Sequence, residues 1–219
     1  MFATAVFKEP FDVDRELSKL GLKQEWLLKA ARAAHAARVA CTENHPPSYA
    51  GVSGWAEGVR VLREETLPYG FERSNESNLP FTVNKAGTMA IAVATGDEYT
   101  GTDTSPCTKN PKGRRTRDAV HSNQLPLQFG DTPVSPEVLE TIKSRETWIL
   151  LLHTDIKAGM VRSELSRPIN MNEEGRVDDW SIRIILESIP FDAGDISITG
   201  GNDNGPQSPE IIVEIKRRG

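Results

Sequence analysis

The stretch KQEWLLKAARAAHAARVACT, residues 23–42, contains neither glycine nor proline and is dominated by alanine and leucine. Alanine and straight-chain residues lose the least entropy in a helix, so the run predicts one long helix over about 23–42. Trp26, Leu27, Ala30, Ala34, Ala37 and Cys41 recur at three- and four-residue steps and form its apolar face. With alanine at so many of these places, a neighbouring helix or sheet can approach closely. Lys29, Arg32, His35 and Arg38 recur at steps of three and read as its solvated polar stripe.

Working outward, DVDRELSKLG (12–21) reads as a shorter helix, with Asp12 as N-cap and Gly21 as a left-handed terminator. On the other side, Pro46 and Pro47 make NHPPSYAGVSG (44–54) a loop, because proline cannot continue a helix. A third helix is expected from about Ser53 to Leu67, with Trp55, Val59, Leu62 and Leu67 inward. The order helix, glycine turn, helix invites a helix-turn-helix reading. However, alanines stand where a recognition helix presents polar side chains to bases.

From Tyr69 the pattern changes. YGFER (69–73), LPFTVN (79–84) and TMAIAVATG (88–96) are short strand candidates separated by SNES and KAG, which read as hairpin turns. TMAIAVATG is apolar nearly throughout, as a strand buried on both faces would be. Further strand candidates are TWILLLHTD (147–155), MVRSELSRPI (160–169), WSIRIILESI (180–189) and EIIVEIKRR (210–218). In TPVSPEVLETIKSRE (132–146), Ser135 can cap a helix that Pro136 starts, giving a helix over about 135–146. Helices first and runs of strands later predict an α+β fold: a helical N-terminal third on a largely antiparallel β-sheet. Residues 1–219 are expected to form one domain, with a helical region over 1–68 and a β-rich region over 69–219 that holds a long loop 96–131.

The composition, 37% hydrophobic and 26% charged, is that of a soluble globular chain. Two distant cysteines, Cys41 and Cys107, do not make a disulfide framework. The apolar start lacks the basic residues of a signal, and WILLL (148–152) is far shorter than a membrane span. The chain therefore reads as cytoplasmic, with no membrane partner.

The net charge is −5, yet CTKNPKGRRTRD (107–118) gathers Lys109, Lys112, Arg114, Arg115 and Arg117. Without these five cations, 21 basic and 31 acidic side chains remain, a balance of −10. Clustered lysine and arginine around a Pro-Gly turn suit phosphate, because arginine pairs donors to two oxygens and lysine adds a mobile point charge. Thr108 and Thr116 add hydroxyl donors. The leading expectation is a binding protein or complex subunit without catalytic role or cofactor. It would engage a phosphate-bearing partner, nucleic acid or nucleotide, through this loop. TGDEYTG (95–101) follows a strand but lacks the spacing G-x-x-x-x-G-K-S/T, and Asp97 and Glu98 stand where an anion would bind, so it reads as a turn.

Two alternatives remain. Glu214-Ile215-Lys216 lies on a strand candidate downstream of Asp192 and Asp195, which is similar to the acidic pair and lysine of PD-(D/E)xK nucleases. That resemblance implies carboxylates holding Mg²⁺ and a lysine that activates water. Otherwise the basic loop docks on an acidic protein partner in a larger assembly. Smaller constellations are a weak metal set of His35, Cys41 and His45, and a base with its orienting carboxylate at His153 and Asp155. The last is a Cys107 thiol lowered by the basic loop, with His121 as its base.

Overall fold

The computed structural model of the chain describes residues 4–75, 79–111 and 145–191. In chain order these form β1 (Ala5–Phe7), α1 (Pro10–Lys19), α2 (Gln24–Val39), α3 (Tyr49–Thr66), a 3-10 turn (Leu67–Tyr69), β2 (Glu72–Ser74), β3 (Phe81–Val83), β4 (Met89–Thr95), β5 (Glu146–Asp155), β6 (Met160–Met171), β7 (Val177–Ile185) and β8 (Ile189–Pro190). The strands build one sheet in the order β1-β7-β6-β5-β4-β3-β2, with β8 also paired to β6. The class is α+β, as the helix-then-strand order predicts. The sheet is mixed, because β1 runs parallel to β7 and β4 parallel to β5 while the other pairs are antiparallel. A parallel pair needs a connection of a dozen or more residues, and the long segment between Thr95 and Glu146 supplies one.

Helices cover one face of the sheet. Met89, Ile91 and Val93 of β4, Trp148, Leu150 and Leu152 of β5 and Leu165 of β6 point into one core with Leu17, Leu27, Ala30 and Leu62 of the helices. Alternate residues point the other way, since successive strand side chains face opposite sides. There Ala94, Ile149 and Leu151 meet Val177 and Trp180, and Ala90 and Ala92 meet Phe81 and Val83. β4 is thus buried on both faces, as its unbroken apolar run requires. Pro168 of β6 falls where the register against β7 shifts, which is where a residue without an N–H is tolerated in a sheet.

Several local expectations change. Helix α1 starts at Pro10 with Glu9 as N-cap, so Asp12 sits in the first turn and pairs with Arg15. Its end follows the reading: Gly21 has φ +69°, its N–H donates to Ser18 O, and the Leu22 N–H donates to Leu17 O. Helix α3 begins at Tyr49, immediately after the two prolines and Ser48. Val59 and Leu62 are buried, but Trp55 is 38% exposed and Leu67 is exposed where the chain tightens into the 3-10 turn. His35 belongs to no solvated stripe: it is 5% exposed and its ring stacks on Phe191 at 4.4 Å. Strand β1 was not legible, since its three residues pair in the sheet with β7, far along the chain. The expected helix 135–146 lies outside the described residues up to Ser144, and Glu146 opens β5 instead. EIIVEIKRR lies wholly outside them. Among the described residues no helix is long and apolar enough to cross a membrane.

The alanine face of α2 does bring a neighbour close. A Cβ on Gly54 of α3 would stand 2.8 Å from the Ala34 carbonyl oxygen, and one on Gly58 would stand 3.2 Å from Leu152 Cδ1. Replacing a helical glycine by alanine gains up to about 1 kcal/mol of propensity. At Gly54 a backbone carbonyl cannot turn aside, and overpacking costs about 1–3 kcal/mol. Gly54→Ala is therefore expected to lower the urea midpoint. Gly51→Ala, where an added Cβ meets nothing within 4 Å, is expected to leave it unchanged or raise it.

Candidate functional site

Parallel pairing sets the C-terminal ends of β4 and β5 side by side, with Thr95 opposite Leu152. In open sheets, ligands favour the crevice beyond the carboxyl ends of such strands. Here the chain leaves β4 through Gly96, where a Cβ would collide with the Thr100 hydroxyl. Asp97 then holds the turn: one carboxylate oxygen accepts the Tyr99 N–H at 3.1 Å and the other the Cys107 N–H at 3.0 Å. This matches the reading of TGDEYTG as a turn. The loop returns through a bridge between Gly96 and Thr108, and the Lys109 N–H donates to Thr95 O at 2.9 Å.

An ion pair buried in the sheet anchors this loop. Glu164 of β6 and Arg183 of β7 are 0% and 2% exposed, and the guanidinium reaches both carboxylate oxygens at 3.0 and 2.7 Å. Ser166 Oγ donates to the same carboxylate at 2.6 Å, and so does the Gly101 N–H at 2.9 Å. Arg183 also donates to Thr102 O at 2.8 Å. Gly101 has φ +71°, and a Cβ there would sit 2.9 Å from Arg162 Cβ, so only glycine lets the backbone reach Glu164. Farther on, the Trp180 indole donates to Pro106 O at 2.8 Å and the Thr108 N–H to Val177 O at 2.9 Å.

Between this loop, the last turn of α2 and the first turns of α3 lies a cavity of about 300 Å³. Ala31, Ala34, Val93 and Leu152 contribute apolar lining; His35, Arg38, Asp97, Glu98, Lys109 and His153 contribute the polar and charged lining. His153 stands at the end of β5 beside the Gly96 backbone. Burial holds its imidazole below the ordinary 6.5, opposed by the Gly96 backbone, so the ring is neutral at neutral pH. Burial also raises the Asp97 carboxyl, against the two N–H donors that favour its charge. Perturbed titratable groups gathered in a cleft mark a functional-site candidate.

The structure redistributes the sequence candidates. Lys109 lines the cavity, whereas Thr108 is fully buried, accepting the Val177 N–H at 3.0 Å and donating to Asn110 O at 3.3 Å. Thr108 is thus a structural clasp and not a ligand donor. Lys112, Arg114, Arg115, Thr116 and Arg117 lie outside the described residues, as do His121, Asp192, Asp195, Glu214 and Lys216. Asp155 does not orient His153: it pairs with Arg162 and accepts the Ala158 N–H. Cys107 is not an acidified thiol, because burial and then Asp97 and Asp178 push its pKa up. Cys41 donates to Ala37 O while His45 bonds Thr42 and stacks on Tyr49, and no metal-holding group of three or more His, Cys, Asp or Glu exists among the described residues.

Sequence reasoning singled out neither Arg38 nor Trp55 as a site residue, and it paired His153 with Asp155 and not with Asp97. The signal for the Asp97–His153 pairing was position, Asp97 just past one apolar strand and His153 at the end of another. Set beside protein-family models, curated proteins and solved structures, the chain matches none.

Two outcomes follow from this geometry. Arg183→Met leaves Glu164 buried without its cation and is expected to cost about 3–5 kcal/mol in urea denaturation. The double variant Glu164→Leu, Arg183→Met is expected to lose less than the single one, since no unpaired charge remains. For His153, stability is fully present above pH 6.5, where the ring is neutral folded or unfolded. As pH falls further, the unfolded chain takes up the proton first and stability drops. The urea midpoint is therefore expected to fall more steeply below pH 6.5 in the wild type than in His153→Gln.

Proposed function

We propose that this protein binds a small phosphate-bearing ligand, taken up in the cavity beyond β4 and β5 that Lys109 lines. The observation that carries this reading is the place of Lys109. The first cation of the basic segment 107–118 lines the cavity, together with Arg38 from the end of α2. Two cations from separate elements suit the oxygens of a phosphate, with arginine supplying paired donors. A volume of about 300 Å³ lies at the lower end of small-molecule sites, which favours a ligand of mononucleotide size over a polymer running through the cavity. Asp97 and Glu98 in the same lining suit a ligand that also carries hydrogen-bond donors. The protein acts here as a binding module or complex subunit, and its chemistry is recognition, not turnover. Magnesium-dependent cleavage through Asp192, Asp195, Glu214 and Lys216, or docking of the basic loop on an acidic protein, draws no support from the described residues.

Isothermal titration with inorganic phosphate, ribose 5-phosphate, nucleoside monophosphates and short RNA and DNA tests this reading. Binding of a small phosphate compound is expected to weaken about tenfold in Lys109→Ala, as for loss of one charged hydrogen bond. Absence of binding by every phosphate compound at low salt would exclude the reading.

A further inference from the structure

Among the described residues that line the cavity is an indole held in place without being buried. Trp55 lies in the second turn of α3, and its indole N–H donates to the Val93 carbonyl of β4 at 3.1 Å. It remains 38% exposed, while the other tryptophans, Trp26, Trp148 and Trp180, are 5%, 2% and 1% exposed. Burying a tryptophan is among the largest single apolar gains open to a small domain, so anchoring one at a cavity and leaving it half bare has a cost in stability. Gly51 precedes it by one turn on the same helix face and also lines the cavity. Among the described residues, a Cβ at Gly51 would meet nothing within 4 Å, so none of them crowds the space beside the indole.

An anchored, half-exposed indole near two cations has a specific chemical complement. Nucleobases stack on aromatic side chains without regard to sequence, because every base has a π-face, and lysine or arginine close by takes the phosphate. We infer that the ligand of this cavity is a nucleotide, its base stacked on Trp55 and its phosphate held by Lys109 and Arg38. The inference rests on the phosphate-binding reading and adds the aromatic half of the ligand. Trp55 is then the residue that distinguishes a nucleotide from a sugar phosphate.

The test compares adenosine monophosphate with ribose 5-phosphate, which differ by the base alone, by isothermal titration on the full chain. Acrylamide quenching of tryptophan emission serves as a second readout, since Trp55 is the most exposed of the four tryptophans. Adenosine monophosphate is expected to bind about tenfold more tightly than ribose 5-phosphate and to protect the emission from acrylamide. Trp55→Leu is expected to bring the nucleotide down to the affinity of the sugar phosphate and leave the latter unchanged. Trp55→Phe, which loses the Val93 hydrogen bond but keeps a ring, is expected to retain most of the preference, and so separates stacking from a purely structural role. Equal binding of the two compounds by the wild type would overturn the stacking inference while leaving the phosphate reading intact. Failure of both to bind would remove both.

Discussion

The contact between Glu164 and Arg183 is the constraint on which the site depends. Two opposite charges lie inside the sheet with almost no access to water, and removing either ion from water costs several kcal/mol before their attraction is counted. The pair is tolerable because every strong demand is met locally. The guanidinium reaches both carboxylate oxygens, Ser166 and the Gly101 N–H complete the carboxylate, and Thr102 O accepts from Arg183. Two of these partners belong to the loop after β4. The polar centre that joins β6 to β7 therefore also clamps the loop to the sheet, and without the loop it would be incompletely satisfied.

That clamp carries the geometry outward. With 101 and 102 held on Glu164 and Arg183, and 106 and 108 held on Trp180 and Val177, the intervening chain has little freedom. Asp97 and Lys109 are then set at the mouth of the β4–β5 pair beside His153. The opposite wall comes from a different physical source: glycine against alanine lets α3 and α2 pack closely. One wall is thus placed by polar satisfaction and the other by small side chains, and the cavity is what remains between them.

Charge in the cavity is mixed. Arg38 and Lys109 supply positive charge, Asp97 and Glu98 negative, and His153 is held neutral by burial. A surface meant only to coat a polyanion would have no reason to place carboxylates there. The proposed ligand, compact, with an anionic end and hydrogen-bond donors or an aromatic ring elsewhere, would make use of each group.

Much of the architecture was readable from local pattern. The long alanine-rich helix, the glycine-terminated helix before it, the doubly buried β4 and the strands β5, β6 and β7 follow from periodicity, propensity and turn residues, all of which act over a few positions. So does the turn at Asp97. What the tertiary structure alone decided are the relations between distant segments. The parallel pairing of β4 with β5 puts Asp97 and His153 at one end of the sheet. Burial of His35 under Phe191 contradicts its place in a polar stripe, and β1 enters the sheet by pairing with the distant β7. Thr108 turned from expected ligand donor to buried clasp because Val177 lies across from it. Glu164 and Arg183 look like solvated charges on alternating strands until the fold closes over them. Sequence spacing encodes which face of an element is apolar; which other element meets that face, and what is thereby removed from water, depends on contacts between segments far apart in the chain.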